Sequence, residues 1–167
     1  MAWGERLVGL GVLGLAAVFG GFWGQVARAD SAGAIAAHGL ASAGGRYGLA
    51  VMGDFWFVGE QTRFGASTGL GGMSEGNGLR AWVLTPLAMS LSAQPAPGAS
   101  GMALLLRAGG YAGVHAGGFG AGGFVSGGCA YQRALGNEAG FRVGLSAWWL
   151  SGSDQAVWLT PWLGLAY

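Results

Sequence analysis

Residues 155–167 read Q-A-V-W-L-T-P-W-L-G-L-A-Y. Val157, Leu159, Pro161, Leu163, Leu165 and Tyr167 occupy every second position, and Ala156, Trp158, Thr160, Trp162, Gly164 and Ala166 fill the gaps. A period of two is a strand period, because successive side chains leave a strand on opposite faces. One face is a row of aliphatics ending in an aromatic; the other is small, polar or Trp. A helix would need its apolar residues at three- and four-residue spacing, and Pro161 in its interior would cost about 3 kcal/mol. The stretch therefore reads as a strand whose Leu row faces an apolar medium.

Working back along the chain, the same alternation returns. Arg46 to Val58 sets Tyr47, Leu49, Val51, Phe55 and Phe57 against Ala50, Met52, Asp54 and Trp56. Thr62 to Met73 sets Phe64, Ala66, Thr68 and Leu70 against Arg63, Gly65, Ser67 and Gly69. Leu79 to Leu91 places Val83, Leu87, Met89 and Leu91 opposite Arg80, Trp82 and Ser90. From Met102, Leu104, Leu106 and Val114 alternate with Arg107, Tyr111 and His115. Gly140 to Leu150 sets Phe141, Val143, Leu145 and Trp149 against Arg142, Ser146 and Trp148. Turn residues separate these runs. They are Gly59-Glu60-Gln61, Ser74 to Gly78 with its Asn77-Gly78 pair, the Pro95/Pro97 segment, Gly136-Asn137, and Ser151 to Asp154.

Two segments stay open. Residues 30–45 are rich in Ala and Gly and read either as an N-terminal arm or as a weak first strand. The glycine-rich run to Arg133 holds one long strand or two short ones. Gly109, Gly113 and Gly117 also recur at every fourth position, as in packed membrane helices, so a helical reading of 102–134 competes there. The A-G-G-aromatic repeats at Ala108, Ala116 and Ala121 have unequal offsets, which excludes a solenoid.

The closing stretch resembles the last strand of small bacterial outer-membrane β-barrels of the eight-stranded type. Those strands end in an aromatic residue preceded by alternating apolar positions, which the barrel-assembly machinery recognises. The matching residues here are Val157, Leu159, Leu163, Leu165 and Tyr167; Pro161 departs from the pattern. The resemblance implies the bacterial outer membrane, outer-membrane lipid as surroundings and the assembly machinery as a partner during biogenesis.

Composition agrees with a membrane location. Charged residues are 9% of the chain, against about 25% in ordinary globular domains, so a charged, water-facing skin cannot be made. The net charge of +1 gives no electrostatic case for nucleic acid. Residues 1–29 read as a signal peptide: Arg6 near the amino terminus, an apolar run from Leu7 to Trp23, and Ala27-Arg28-Ala29 as a cleavage site. The apolar run is near the lower length limit for a membrane span, so an uncleaved anchor is the competing reading. The lone cysteine, Cys129, excludes an intrachain disulfide and reads as a small buried apolar residue.

In each of five strands the interior charge falls opposite the apolar row: Asp54, Arg63, Arg80, Arg107 and Arg142. Facing hydrocarbon would cost an Arg about 2–4 kcal/mol at the midplane, so these side chains are expected in the lumen. Trp56, Trp82, Trp148, Trp158, Trp162, Tyr111 and His115 share that face. Arg can be held over Trp by cation–π attraction. With Asp54 as the one carboxylate well inside, Glu60, Asp154, water or an anion must answer the remaining arginines.

Catalytic signatures are absent. Without Lys there is no Walker-type phosphate loop. His38 and His115 have no metal-ligand spacing, and His115, a base by analogy with barrel lipid hydrolases, has no Ser nearby. Gly118, Gly120 and Gly123 match a dinucleotide fingerprint only by glycine abundance.

The chain is expected to be all-β: an up-and-down antiparallel transmembrane β-barrel of eight strands over residues 46–167, with the 30–45 segment as arm or first strand, after a cleaved signal peptide. The expected role is a monomeric, filled-lumen barrel, structural or interactive in the cell envelope, without cofactor or metal and not an enzyme. A lumenal ligand binder or narrow anion pore is the alternative, and a lipid-acting barrel enzyme a more distant one.

Overall fold

The computed structural model describes residues 32–57, 62–75, 78–95, 99–115, 118–152 and 156–167; for 74–75, 78–85 and 115 it describes the backbone alone. The expected signal peptide, 1–29, lies outside the described residues. Eight strands follow in order: β1 (Ala32–Ser42), β2 (Tyr47–Phe57), β3 (Thr62–Glu75), β4 (Gly78–Ala93), β5 (Gly101–His115), β6 (Gly118–Ala134), β7 (Gly140–Leu150) and β8 (Ala156–Ala166). Each pairs antiparallel with its sequence neighbour, and β1 pairs with β8, closing the barrel. Closure removes the free sheet edges that lipid cannot satisfy.

Both open segments are strands. β1 takes the undecided 30–45 stretch, so the barrel begins at Ala32 rather than at Arg46. Its alternation is hidden because both faces are small: Ala34, Ala36 and Leu40 inside, Ala37, Gly39 and Ala41 outside. The glycine-rich run is one long strand, β6, paired with β5 from Gly101↔Gln132 to His115↔Gly118. The strand reading of 102–134 holds and the competing Gly-packed helix is excluded. A spacing of four is also two strand periods, so Gly109 and Gly113 fall on one sheet face as readily as on one helix face.

Outward rows carry large apolar side chains at high exposure, among them Leu49 at 74%, Leu87 at 68% and Leu163 at 56%. Inward rows are buried. An apolar belt around a closed barrel is what hydrocarbon contact requires, and in water it would be a large aggregation surface. β1, β2, β7 and β8 have 11 residues each, the length of a tilted membrane strand. β3 to β6 run to 14–17.

Prolines interrupt two ladders. Between β1 and β8 the register passes from His38↔Trp162 to Ala41↔Leu159, leaving out the pairs at Pro161 and Thr160. Between β3 and β4 it passes from Thr68↔Leu87 to Gly71↔Leu84, leaving out Pro86 and Thr85. Proline has no N–H to donate.

The interrupted closing seam is tied at its end by the last residue. Tyr167 N–H donates to Gly33 O at 2.9 Å and Gly33 N–H to Tyr167 O at 2.7 Å. Deleting Tyr167 removes that reciprocal pair together with the terminal aromatic. The expected result is less heat-modifiable barrel in the outer membrane and faster degradation, measured by gel mobility of envelope fractions. Normal levels of folded barrel in the deletion would rule out this role.

Candidate functional site

The lumen is where polar chemistry can be held, because the exterior belongs to hydrocarbon. Two ends can be defined. The start of β1, the end of β8 and the β2–β3, β4–β5 and β6–β7 connections share the terminus end. The other four connections share the loop end.

Toward the loop end the lumen is apolar. Leu40, Met52, Met73, Tyr111, Phe124, Trp148, Leu150 and Trp158 form one buried cluster. Phe124 meets Trp148 edge to face, centroids 5.3 Å apart. At the border of this cluster His38 lies 4.9 Å from the Trp148 ring and stacks on Trp162 at 5.6 Å. Thr160 Oγ1 donates to the Ser146 carbonyl at 3.0 Å.

Toward the terminus end the lumen is charged. The inward row of β2 carries Asp54 between Met52 and Trp56, and the inward row of β5 carries Arg107. Arg107 Nε donates to Asp54 Oδ1 at 2.8 Å and Nη2 to Oδ2 at 2.6 Å, a bidentate pair between strands that are not neighbours. Ser67 Oγ, from β3, also donates to Asp54 Oδ1. Asp54 and Arg107 are both 2% exposed. Fork-to-carboxylate geometry is the strong form of this contact, and the added hydroxyl satisfies a further lone pair, as a buried pair requires.

Arg142, on β7, is held differently. Its Nε donates to Gln132 Oε1 at 2.7 Å, and its guanidinium lies 5.5 Å from the Trp56 ring centroid. Gln132 Nε2 in turn donates to the Ala99 carbonyl at 2.8 Å, tying β6 to the β4–β5 connection. Arg63, near the start of β3, is buried and stands opposite Ser92 in the register. Ser92 Oγ donates to Gln94 Oε1 at 3.0 Å. Gly65, opposite Trp56, allows the two backbones to approach closely: a Cβ there would lie 1.8 Å from Phe55 O and 2.7 Å from Trp56 Cα.

Of the residues expected inside, Asp54, Arg63, Arg107, Arg142, Tyr111, Trp56, Trp148, Trp158 and Trp162 lie buried on the lumenal face. Arg80 and Trp82 belong to β4 and His115 to β5, but their side chains are outside the described residues, as are Glu60 and Asp154. The structure brings Asp54 to Arg107 and Arg142 to Trp56; Tyr111 and Trp158 join the apolar end instead.

Sequence reasoning did not single out His38, Ser67, Gln94 or Gln132, although it set Ser67 in the row with Arg63. His38 sits in the strand whose faces look alike, and Gln132 in the glycine-rich run. Their signal was parity: Ser126 and Gln132 share the even row of β6. Cys129 is a correction. It is exposed on the barrel exterior rather than buried, because odd positions of β6, with Phe119, Val125 and Tyr131, face outward. Among the described residues no three His, Cys, Asp or Glu side chains gather to hold a metal ion.

Searches of protein families and of curated proteins return no match to this chain. Solved structures do match. The crystal structure of Neisserial surface protein A superposes with a TM-score of 0.65 at 13% identity, over 81% of this chain and 94% of that one. The N-terminal β-barrel domain of Pseudomonas aeruginosa OprF follows at 0.49 and 13% identity, over 81% and 95%. Ail of Yersinia pestis gives 0.46 at 10% identity, over 81% and 93%. These are eight-stranded outer-membrane β-barrels. The fold of this chain is that of Neisserial surface protein A: a closed, eight-stranded antiparallel β-barrel with an apolar outer belt.

Proposed function

We propose that the protein is a monomeric outer-membrane barrel with a filled lumen, serving a structural or interaction role in the cell envelope. One observation supports the reading: large lumenal side chains are buried at successive levels of the interior. Trp158, Phe124, Trp148, His38, Asp54, Trp56 and Gln132 are all at or below 2% exposure, and they run from the loop end to the terminus end. An eight-stranded barrel has an interior just wide enough for such filling.

The interaction part is supported at the loop end. β6 pairs with β7 only from Phe124↔Leu150 onward, so residues 118–123 continue past the end of β7, paired with β5. Val114 and Phe119 face each other on this extension at 60% and 72% exposure.

The purified protein is expected to give no stable single-channel steps in a planar bilayer. Arg107→Ala should lower stability and still open no channel. Reproducible anion-selective conductance from the wild type would overturn the filled lumen and promote the narrow pore.

A further inference from the structure

We propose that the terminus end of the lumen is a binding site for a small, phosphate-like oxyanion, with Arg63 and Arg142 as its cationic partners. The inference rests on the filled-lumen reading, and the two fail separately: conductance tests that reading, saturable anion binding tests this one.

The placement follows from the strand order. Arg63 is the second residue of β3, Arg142 the third of β7, and Trp56 the next to last of β2; Gln94 follows the end of β4. All four positions lie at the terminus end. Arg142 is 3% exposed and Arg63 7%.

Among the described residues the buried donors here outnumber the acceptors. Arg142 Nη2, Gln94 Nε2 and Trp56 Nε1 are buried without a hydrogen-bond partner among the described residues. Gln94 is oriented by Ser92, which occupies its Oε1 and leaves the amide nitrogen to point elsewhere. Asp54 is the only carboxylate buried among the described side chains, and Arg107 and Ser67 already hold it. Arg142 lies against Trp56 near the start of β7, and Arg63 is buried near the start of β3, so both guanidinium groups belong to the same end of the lumen.

Like charges away from water are strongly unfavourable unless answered. A small oxyanion answers both guanidinium groups at once, through the fork geometry that suits phosphate and carboxylate, and it accepts from the amide and the indole. The ligand class is bounded by crowding. Trp56, Leu105 and Ala166 pack the same end, which favours an ion over a ligand with a bulky body. The source is the aqueous compartment at that end, since the outward face alone meets lipid.

The test uses the full folded barrel in zwitterionic detergent, in a low-salt buffer free of phosphate and sulfate. Inorganic phosphate is titrated by calorimetry, and thermal unfolding is followed in parallel. The expected result is saturable binding of one phosphate per barrel. The unfolding midpoint should rise with phosphate and not with chloride at equal ionic strength, as binding to the folded state alone requires. Arg142→Gln and Arg63→Gln should each weaken binding at least tenfold, while Arg133→Gln, on the exposed surface, should bind as the wild type does.

Absence of saturable binding to the wild type overturns the proposal whether or not the variants fold. Equal binding by wild type and Arg142→Gln overturns it as well. Stabilisation by a lysophospholipid but not by inorganic phosphate would overturn the aqueous source. Binding that appears only in Glu60→Gln would show that a carboxylate of the chain itself answers the arginines, and would also overturn it.

Discussion

Asp54→Ala should destabilise the folded barrel by about 3–5 kcal/mol, the cost of removing one partner of a buried ion pair. Arg107 would then stand in the lumen at 2% exposure with its bidentate acceptor gone. Ser67, the other donor to Asp54, would lose its acceptor too. Because the pair joins β2 to β5 across the interior, the loss acts on the closed barrel as a whole. Replacing both residues with apolar side chains of similar volume, Asp54→Leu with Arg107→Met, should recover much of the loss, since the desolvation cost of the charges disappears with them. The measurement is urea unfolding in lipid vesicles, arranged as a double-mutant cycle. An additive cycle, with the double variant as unstable as the sum of the singles, would show that the pair is not energetically coupled.

Leu87→Arg should cost about 2–4 kcal/mol, the penalty for an Arg facing hydrocarbon at the midplane. Leu87 is 68% exposed on the outward row of β4. An 11-residue membrane span measured from the terminus end of this strand, Ala93, is centred near residue 88. Leu163 tests depth. It lies three residues before the end of β8 at Ala166, nearer the interface, so Leu163→Arg should cost less than Leu87→Arg. Leu→Ala at either site should cost less than Arg, because Ala gives up only part of the Leu side chain's transfer from water to lipid and carries no charge into hydrocarbon. Vesicle unfolding read against depth checks the gradient. Single cysteines give an independent view: positions 87 and 163 should react with lipid-phase probes, and 107 and 162 should not. Reaction at 107 and 162 alone would reverse the faces.

Much of this architecture was legible in the chain itself, for a local reason. Which side chains share a face depends only on parity along an extended strand, so Arg107 opposite Leu106, or Trp162 opposite Leu163, needs no knowledge of the partner strand. Parity fails where both rows are alike. The Ala and Gly of β1 left that strand undecided and hid His38. The glycines of the run before Arg133 satisfied a helix spacing and a strand spacing together, and β6 emerged only from its register with β5. Cys129 was misread because a small apolar residue suits a core and a lipid face equally well.

What the sequence determined by itself was therefore the kind of medium on each side: a lipid-facing row in every readable strand, a charged and aromatic row behind it, and an end built to close a barrel. What only the tertiary structure decided was which lumenal groups meet. Asp54 and Arg107 are 53 residues apart in sequence, Gln132 and Ala99 are 33 apart, and Trp56 reaches Arg142 across the interior. Those meetings depend on closure, register and strand tilt together, which no single strand carries. The same closure brings Arg63 of β3 and Arg142 of β7 to one end of the lumen, because a barrel interior this narrow gathers the inward side chains of all its strands at each level.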